Sequence, residues 1–297
     1  MSVNRKIIAV LELCRISNLP TVISNCAAGY LISKDYLNWD LALIFIGASL
    51  LYSGGMAMND VIDLRYDKQY KTDRPIARSA ISHRFALVLT LFFLFVGTLI
   101  LLFSASSLPF VGALLLSITI YNFIHKKTSS AIFVMGLCRS LLYLIAGYSL
   151  GQNNDILIWA IILGLYTAGI TLVARGEDSG NESGNESGNE SGNESGICGL
   201  ILVALPFFLS LYFIIVNSFI SIPIVISSLL FLFWIAYCFR VIKSKIEGRI
   251  GKSVSLMIAG MCLIDSMAVS HAIGFSGLYF VIFLPFVVLF QRKISGT

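Results

Sequence analysis

Charge is what this chain has least of: only 12% of its 297 residues are Asp, Glu, Lys or Arg, while 57% are hydrophobic and mean hydropathy is +0.86. That balance excludes an ordinary water-soluble globular domain and makes lipid the solvent for most of the chain. Histidine is nearly absent. His83, His125 and His271 have no metal-like mutual spacing, so each reads as an interfacial or packing residue. None of the six cysteines (Cys14, Cys26, Cys138, Cys198, Cys238, Cys262) stands in a CxxC pair, and all lie in or beside apolar runs. They read as small buried hydrophobes, with neither disulfide nor metal duty. Polar stretches long enough for a soluble domain are missing, so chemistry has to sit inside a bundle or at one of its ends. Without a soluble basic domain, nucleic acid is not an expected partner.

What is present is a succession of apolar runs. A helix needs about 20 mainly apolar residues to span the hydrocarbon core. Candidate spans are 8–33, 40–62, 84–104, 107–124, 130–150, 156–174, 197–216, 220–240, 253–273 and 276–291. Glu12, Arg15 and Pro20 interrupt the first, and the last is short, so nine or ten spans are expected in one all-α integral membrane domain covering 1–297. The first apolar run continues into a long span, so no cleavable signal is expected and the first helix should insert itself.

Lysine and arginine give the orientation. With ten spans, nineteen of the 21 fall on one side: Arg5, Lys6, Arg15, Arg65, Lys68, Lys71, Arg74, Arg78, Arg84, Lys126, Lys127, Arg175, Arg240, Lys243, Lys245, Arg249, Lys252, Arg292 and Lys293. Lys34 lies opposite and Arg139 within a span. Both termini and the longer loops 63–83, 175–196 and 241–252 are therefore expected in the cytoplasm. The net charge of +5 reads as topology and contact with anionic lipid.

Residues 179–196 repeat Ser-Gly-Asn-Glu four times and close on Ser-Gly. Lacking any apolar side chain, the segment cannot offset its ordering entropy by burial, so a flexible cytoplasmic loop is expected. Its Asn-Glu-Ser triplets match the glycosylation sequon but fall on the wrong side for that modification.

Chemistry is concentrated at the end of the second span, in Asn59-Asp60-Val-Ile-Asp63-Leu-Arg-Tyr-Asp67. Helical periodicity puts positions 60, 63 and 67 on one face. Carboxylates crowded at a membrane boundary repel one another and lose hydration, and a divalent cation reverses that penalty. Mg²⁺ favours one or two carboxylates with water and phosphate oxygens completing its shell. A solvated helix end among basic residues is the competing reading.

The run continues to Asp73-Arg74-Pro75-Ile76 and Ile81-Ser82. Together, Asn-Asp-x-x-Asp-x-x-x-Asp, the later Asp-Arg-Pro-Ile and their position after the second span resemble the first motif of the UbiA superfamily of intramembrane prenyltransferases. The likeness is strongest over 15–85. It implies a UbiA-like bundle that transfers an isoprenyl chain from a prenyl diphosphate to a lipophilic or aromatic acceptor, with Mg²⁺ as cofactor and no obligatory protein partner.

Carried over residue by residue, the resemblance makes Asp60, Asp63 and Asp67 metal ligands and, with Lys126 and Arg139, catalytic groups. Asn25, Asn59, Arg74, Tyr121, Lys127 and Arg175 become substrate-binding residues. Positive-inside anchoring explains Lys126 and Lys127 equally well, and a helix–helix hydrogen bond explains Asn25. Arg139 lies too deep for an anchor and needs an internal cavity or an acid, and Asp265, in mid-span, needs a polar partner or the pocket. The second Asp-rich motif departs from the family: Arg175-Gly-Glu177-Asp178-Ser-Gly-Asn-Glu182 keeps Asp178 and Glu182 as a possible second metal pair, on a stretch unfavourable to regular helix. In this reduced motif the chain is similar to the EboC-like branch. A non-catalytic protein that binds or moves an isoprenoid is the alternative reading.

Overall fold

The structure, a computed structural model, describes residues 3–34, 38–104, 108–148, 154–182, 187–216, 221–244 and 248–293, with side chains from position 5 onward except 176–195. In hydrocarbon every backbone N–H and C=O must be satisfied within its own segment, which leaves helices as the solution for apolar runs of this length. Among the described residues twelve α-helices result: α1 (Val3–Leu13), α2 (Leu19–Ser33), α3 (Trp39–Ile62), α4 (Leu64–Tyr70), α5 (His83–Phe103), α6 (Leu108–Ile124), α7 (Ala131–Gly147), α8 (Asp155–Glu182), α9 (Ser187–Val216), α10 (Ile222–Ile242), α11 (Arg249–Ile273) and α12 (Phe283–Lys293).

Among the described residues six helical stretches are long and apolar enough to cross a membrane, or seven if the bent pair α1–α2 counts as one, and α6 and α7 are shorter apolar helices. This is a multi-pass membrane protein. The first expected span breaks where sequence placed its interruption: Arg15 adopts a left-handed φ of 47°, Ile16–Asn18 form a 3-10 turn, and α2 starts with Pro20 in its first turn, where a missing N–H costs nothing. The two arms meet at 53°. The tenth expected span is helical: a 3-10 segment, Gly274–Ile282, runs into the eleven-residue α12, and the pair turns back on α11, with Val287 buried against Ala259 and Cys262. Gly274 at φ 72° ends α11, and Gly277 lies so close to Ser270 that a side chain there would clash.

Small residues let the helices approach, because lipid supplies no hydrophobic drive for their association. A Cβ on Gly97 of α5 would sit 2.9 Å from the carbonyl of Gly47 on α3. Gly169 of α8 and Gly199 of α9 face each other in the same way, with Cβ positions 2.8 and 2.9 Å from the opposing carbonyl. The repeat differs from its expected loop in backbone. Helix α8 runs to Glu182 and α9 begins at Ser187, while 183–186 lie outside the described residues.

After α4 the chain folds back on itself. Ile76, Ala80 and Ile81 bury against Ala9, Leu13, Ala57 and Ala86, and the Pro75 carbonyl accepts from the amides of Ala80 and Ile81. Burying one such isoleucine is worth roughly 1.5–3 kcal/mol. That anchorage aims Arg74 back at the end of α3.

Candidate functional site

Two buried polar clusters and one apolar cavity make up the candidate site. The first cluster stands where α3 gives way to α4. Asp63 is the C-cap of α3 and the N-cap of α4, with φ −82° and ψ 1°, so the two helices part at this residue. The cations divide the three acids between them. Arg74 donates to Asp60 at 3.1 Å and to Asp67 at 2.8 Å, while Asp63 receives His125 Nε2 at 3.0 Å and Lys126 Nζ at 3.0 Å from beyond the end of α6. Arg15, from the break before α2, reaches to 3.8 Å of Asp60. All three aspartates are buried, at 3%, 7% and 2% exposure, which without these cations would be prohibitive.

The cluster borders an open basin of about 620 Å³ lined by Asn59, Asp63, Tyr66, Asp67, Lys71, Arg74, Tyr121, His125, Lys126, Lys127, Thr171 and Arg175, among others. Lys126 also lies over the Tyr66 ring at 3.7 Å, and Tyr121 stacks on His125. Arg175 donates to the carbonyls of His125 at 2.8 Å and Ser129 at 3.2 Å, pinning the α6–α7 connection to α8. Burial would raise the Asp63 pKa, but hydrogen bonds from His125 and Lys126 outweigh it and hold the group below the ordinary carboxylate value. For Asp67 burial prevails over the pull of Arg74 and the pKa is raised.

The Asp67 Oδ1 atom is buried with no hydrogen-bond partner among the described residues. An orphaned carboxylate oxygen at the edge of a phosphate-sized basic basin fits a hard cation that takes one or two carboxylates and completes its shell from phosphate and water. No group of three His, Cys, Asp or Glu able to hold a metal by itself occurs among the described residues. The carboxylates thus fit Mg²⁺ brought in with phosphate oxygens. Asp178 and Glu182, the second expected metal pair, lie among residues whose side chains are outside the described set.

The second cluster lies in the bundle interior. Asp265 of α11 is fully buried and accepts from Ser24 Oγ, from Tyr143 Oη and from Asn25 Nδ2 at 2.9 and 3.0 Å. The Asn25 carbonyl oxygen in turn accepts from Arg139 at 3.0 Å, and that guanidinium lies 5.2 Å from the centre of the Tyr52 ring. Tyr52 receives Asn18 Nδ2 at 3.3 Å, and Gln291 of α12 donates to Asn18 at 3.0 Å. Arg139 and Tyr52 face a small cavity of about 50 Å³ among α3, α6 and α7, otherwise apolar apart from Tyr121 and Asn122. Tyr121 borders both cavity and basin.

The residues singled out in the sequence thus fall into two groups. Asn59, Asp60, Asp63, Asp67, Arg74, Tyr121, Lys126, Lys127 and Arg175 belong to the first cluster or its basin. Asn25 and Arg139 belong to the second. His125 corrects its reading as a packing residue, since it is hydrogen-bonded to Asp63 and 3.4 Å from the Asn59 amide. Arg15, taken only as a topological charge, was also missed. Its left-handed backbone is invisible in sequence, but a charge inside an apolar run three residues before Asn18 and five before Pro20 was a usable signal.

Comparison with known proteins agrees with this geometry. The UbiA prenyltransferase family profile matches residues 20–258. A digeranylgeranylglyceryl phosphate synthase of Methanococcus maripaludis is 30% identical over 53% of this chain and 58% of its own length. A 4-hydroxybenzoate octaprenyltransferase of Polaromonas sp. is 27% identical over 51% of this chain and 57% of its own length. The aligned region therefore spans less than two thirds of these curated relatives. Among solved structures, an apo UbiA homologue from Aeropyrum pernix K1 aligns with a TM-score of 0.65 at 15% identity, covering 90% of this chain and 98% of that one. A UbiA homologue from Archaeoglobus fulgidus bound to GPP and Mg²⁺ aligns at 0.59 and 16% identity, covering 91% and 99%. At such identities the likeness speaks for the fold, and no branch within the family is singled out. With a profile match across most of its length, an all-helical membrane bundle and an Asp-rich cluster at the end of its second span, the chain belongs to the UbiA prenyltransferase family.

Proposed function

We propose that this protein transfers a prenyl group from a prenyl diphosphate to a lipophilic acceptor within the membrane, in a Mg²⁺-dependent reaction. The observation that carries this reading is the basic, Asp-lined basin meeting an apolar cavity at one residue, Tyr121. A prenyl diphosphate has that same division between a highly charged head and an apolar body. The similar Archaeoglobus fulgidus homologue bound to GPP and Mg²⁺, and the prenyltransferase names of the relatives, support it.

In this reading Asp60, Asp63 and Asp67 hold the metal with phosphate oxygens, and Mg²⁺ when bound offsets charge on the departing diphosphate. Lys126, Lys127 and Arg74 supply fixed positive charge to the same oxygens, stronger here than in water because the basin is walled by protein. Arg74 holds Asp60 and Asp67 ready while no substrate is present. His125 orients the Asp63 carboxylate, and Arg175 fixes the backbone carrying His125. Closely packed apolar walls keep water from the developing allylic cation. The nineteen Lys and Arg of one side support a cytoplasmic position for this end of the bundle and for both termini.

The test is to incubate the purified protein with labelled prenyl diphosphates, Mg²⁺ and a panel of acceptors. Acceptor-dependent diphosphate release that EDTA abolishes is expected. Tight Mg²⁺-dependent binding with no release for any acceptor would replace the enzyme with an isoprenoid binder.

A further inference from the structure

Helix α1 meets α2 at 53°, so it does not continue the direction of the span it precedes. One of its faces is spent inside the protein, with Ala9 and Leu13 fully buried against Ile76, Ala80 and Ile81. The remainder carries Arg5 and Lys6, both exposed, beside Ile7 and Ile8, which are about half exposed. A short helix with basic and bare apolar side chains next to one another suits the interface between bilayer and water. Between α1 and the start of α5 runs a groove of about 640 Å³, walled mainly by Ile7, Val10, Leu11, Ile81 and Phe85, with Lys6, Ser79 and Ser82 as its polar groups. Lys6 makes no ion pair among the described residues, nor do Arg5 and Arg84. The one acid of α1, Glu12, is already held by Arg78. Positive charge at this groove is therefore in surplus.

Phe85 lines the groove and also heads an outward stripe. Phe85, Val88, Phe92 and Phe95 follow one another at helical spacing down α5, and each is more than half exposed. At 1.5 Å per residue that stripe is about 15 Å long, the depth of one leaflet of a ~30 Å hydrocarbon core. An apolar path one leaflet deep that ends in a groove with unbalanced cations matches a lipid with an anionic head. We propose that the groove between α1 and α5 holds one anionic glycerophospholipid from the leaflet at the Asp-rich end, with its phosphate at Lys6 and its acyl chains along Ile7, Leu11 and the α5 stripe. The lipid is neither substrate nor product, and the site stands apart from the prenyl-transfer reading. One wall of the groove belongs to the segment that presents Arg74, because Ala80 and Ile81 donate their backbone N–H groups to the Pro75 carbonyl. A lipid seated there braces 76–82 against α1 from outside the bundle.

The experiment strips the purified full chain of lipid in detergent, titrates it with dioleoyl phosphatidylglycerol or dioleoyl phosphatidylcholine, and counts bound lipids by native mass spectrometry. One phosphatidylglycerol per chain should bind about tenfold or more tightly than phosphatidylcholine. Lys6→Glu should remove that preference by reversing the charge, and Val10→Trp should remove it by filling the groove with the charges left in place. Arg240→Gln, at the end of α10, which packs on α9 and α11, should leave the preference unchanged. In nanodiscs, replacing phosphatidylcholine with phosphatidylglycerol should slow amide exchange in 76–82 of the wild type and not of Lys6→Glu. Equal binding of the two lipids, or a preference that survives Lys6→Glu, overturns the assignment. An equal loss in Arg240→Gln overturns it as well, because it would mark a general attraction of anionic lipid to a basic surface. So does displacement of the lipid by glycerol phosphate at the same concentration, since a head group alone would then suffice. Exchange in 76–82 that ignores the lipid overturns the bracing. Should Val10→Trp not fold, Lys6→Glu, a change at an exposed position, decides alone.

Discussion

The two polar clusters solve the same problem in opposite ways. At the end of α3, three aspartates are balanced by Arg15, Arg74, His125 and Lys126, side chains drawn from three separate segments and facing an open basin. In the interior, one aspartate is satisfied mainly by neutral donors, Ser24, Asn25 and Tyr143, and its one cation stands a residue away. The first arrangement can exchange partners, since Arg74 can yield the acids to a metal and take phosphate itself. In the second, Asp265 has no slack and reads as a fixed support, while Arg139 at its edge faces the cavity. Surplus charge facing solvent marks the reacting end, and the satisfied carboxylate marks the scaffold.

If that division holds, the largest effects come from the exchangeable cluster. Asp60→Ala and Asp67→Ala should each weaken Mg²⁺-dependent geranyl diphosphate binding about a thousandfold. Thermal stability should barely change, because Arg74 keeps one acid in either variant. A parallel fall in stability would erase the contrast. The scaffold predicts the converse for Asp265→Ala. Removing one partner of a buried charged network should cost about 3 kcal/mol or more in unfolding free energy, while the folded fraction still binds geranyl diphosphate with wild-type affinity.

A helix crossing that serves both clusters is expected to rank next. Gly136 of α7 packs directly on Gly164 of α8, and these helices carry Arg139 and Arg175. Gly136→Ala should destabilise by about 1–3 kcal/mol through overpacking, read by thermal unfolding in detergent. His125→Gln loses an orienting contact and no proposed ligand, so donor KM should rise about tenfold with little change in stability. An effect as large as that of Asp67→Ala would move His125 into direct contact with the substrate.

How much of this was legible beforehand follows the same division. The first cluster could be read because its acids lie within eight residues at helical spacing and Arg74 follows seven later. A local pattern survives without coordinates. The second joins Ser24 and Asn25 to Tyr143 and Asp265 across as many as 241 positions, so sequence offered only isolated polar residues in apolar runs, each with an adequate local explanation. His125 was misread for a related reason: its partner Asp63 is 62 residues away. The C-terminal span was legible as the apolar run 276–291, whereas its 3-10 start, the turn at Gly274 and the crowding at Gly277 are conformational facts that composition does not show.

The smallest expected effect concerns the repeat. Deleting residues 183–194 removes three repeat units, the α8–α9 connection together with the first eight residues of α9, and keeps Gly169 and Gly199 of the crossing inside the bundle. Loop closure changes by only about 0.6 kcal/mol per doubling of length, so thermal stability and diphosphate binding should stay within that margin. Replacing Glu177, Asp178 and Glu182 with Ala should instead weaken Mg²⁺-dependent binding if the second acidic segment supplies ligands.

The central claim is that the exchangeable cluster receives the diphosphate. Its most direct test is a cryo-EM map of the protein with geranyl thiodiphosphate and Mg²⁺. The account predicts diphosphate density in the basin beside Lys126 and Arg74, a metal at Asp67 Oδ1, and Arg74 released from at least one of its two acids. Diphosphate density elsewhere, or an unchanged Arg74 with an empty Asp67, would contradict it.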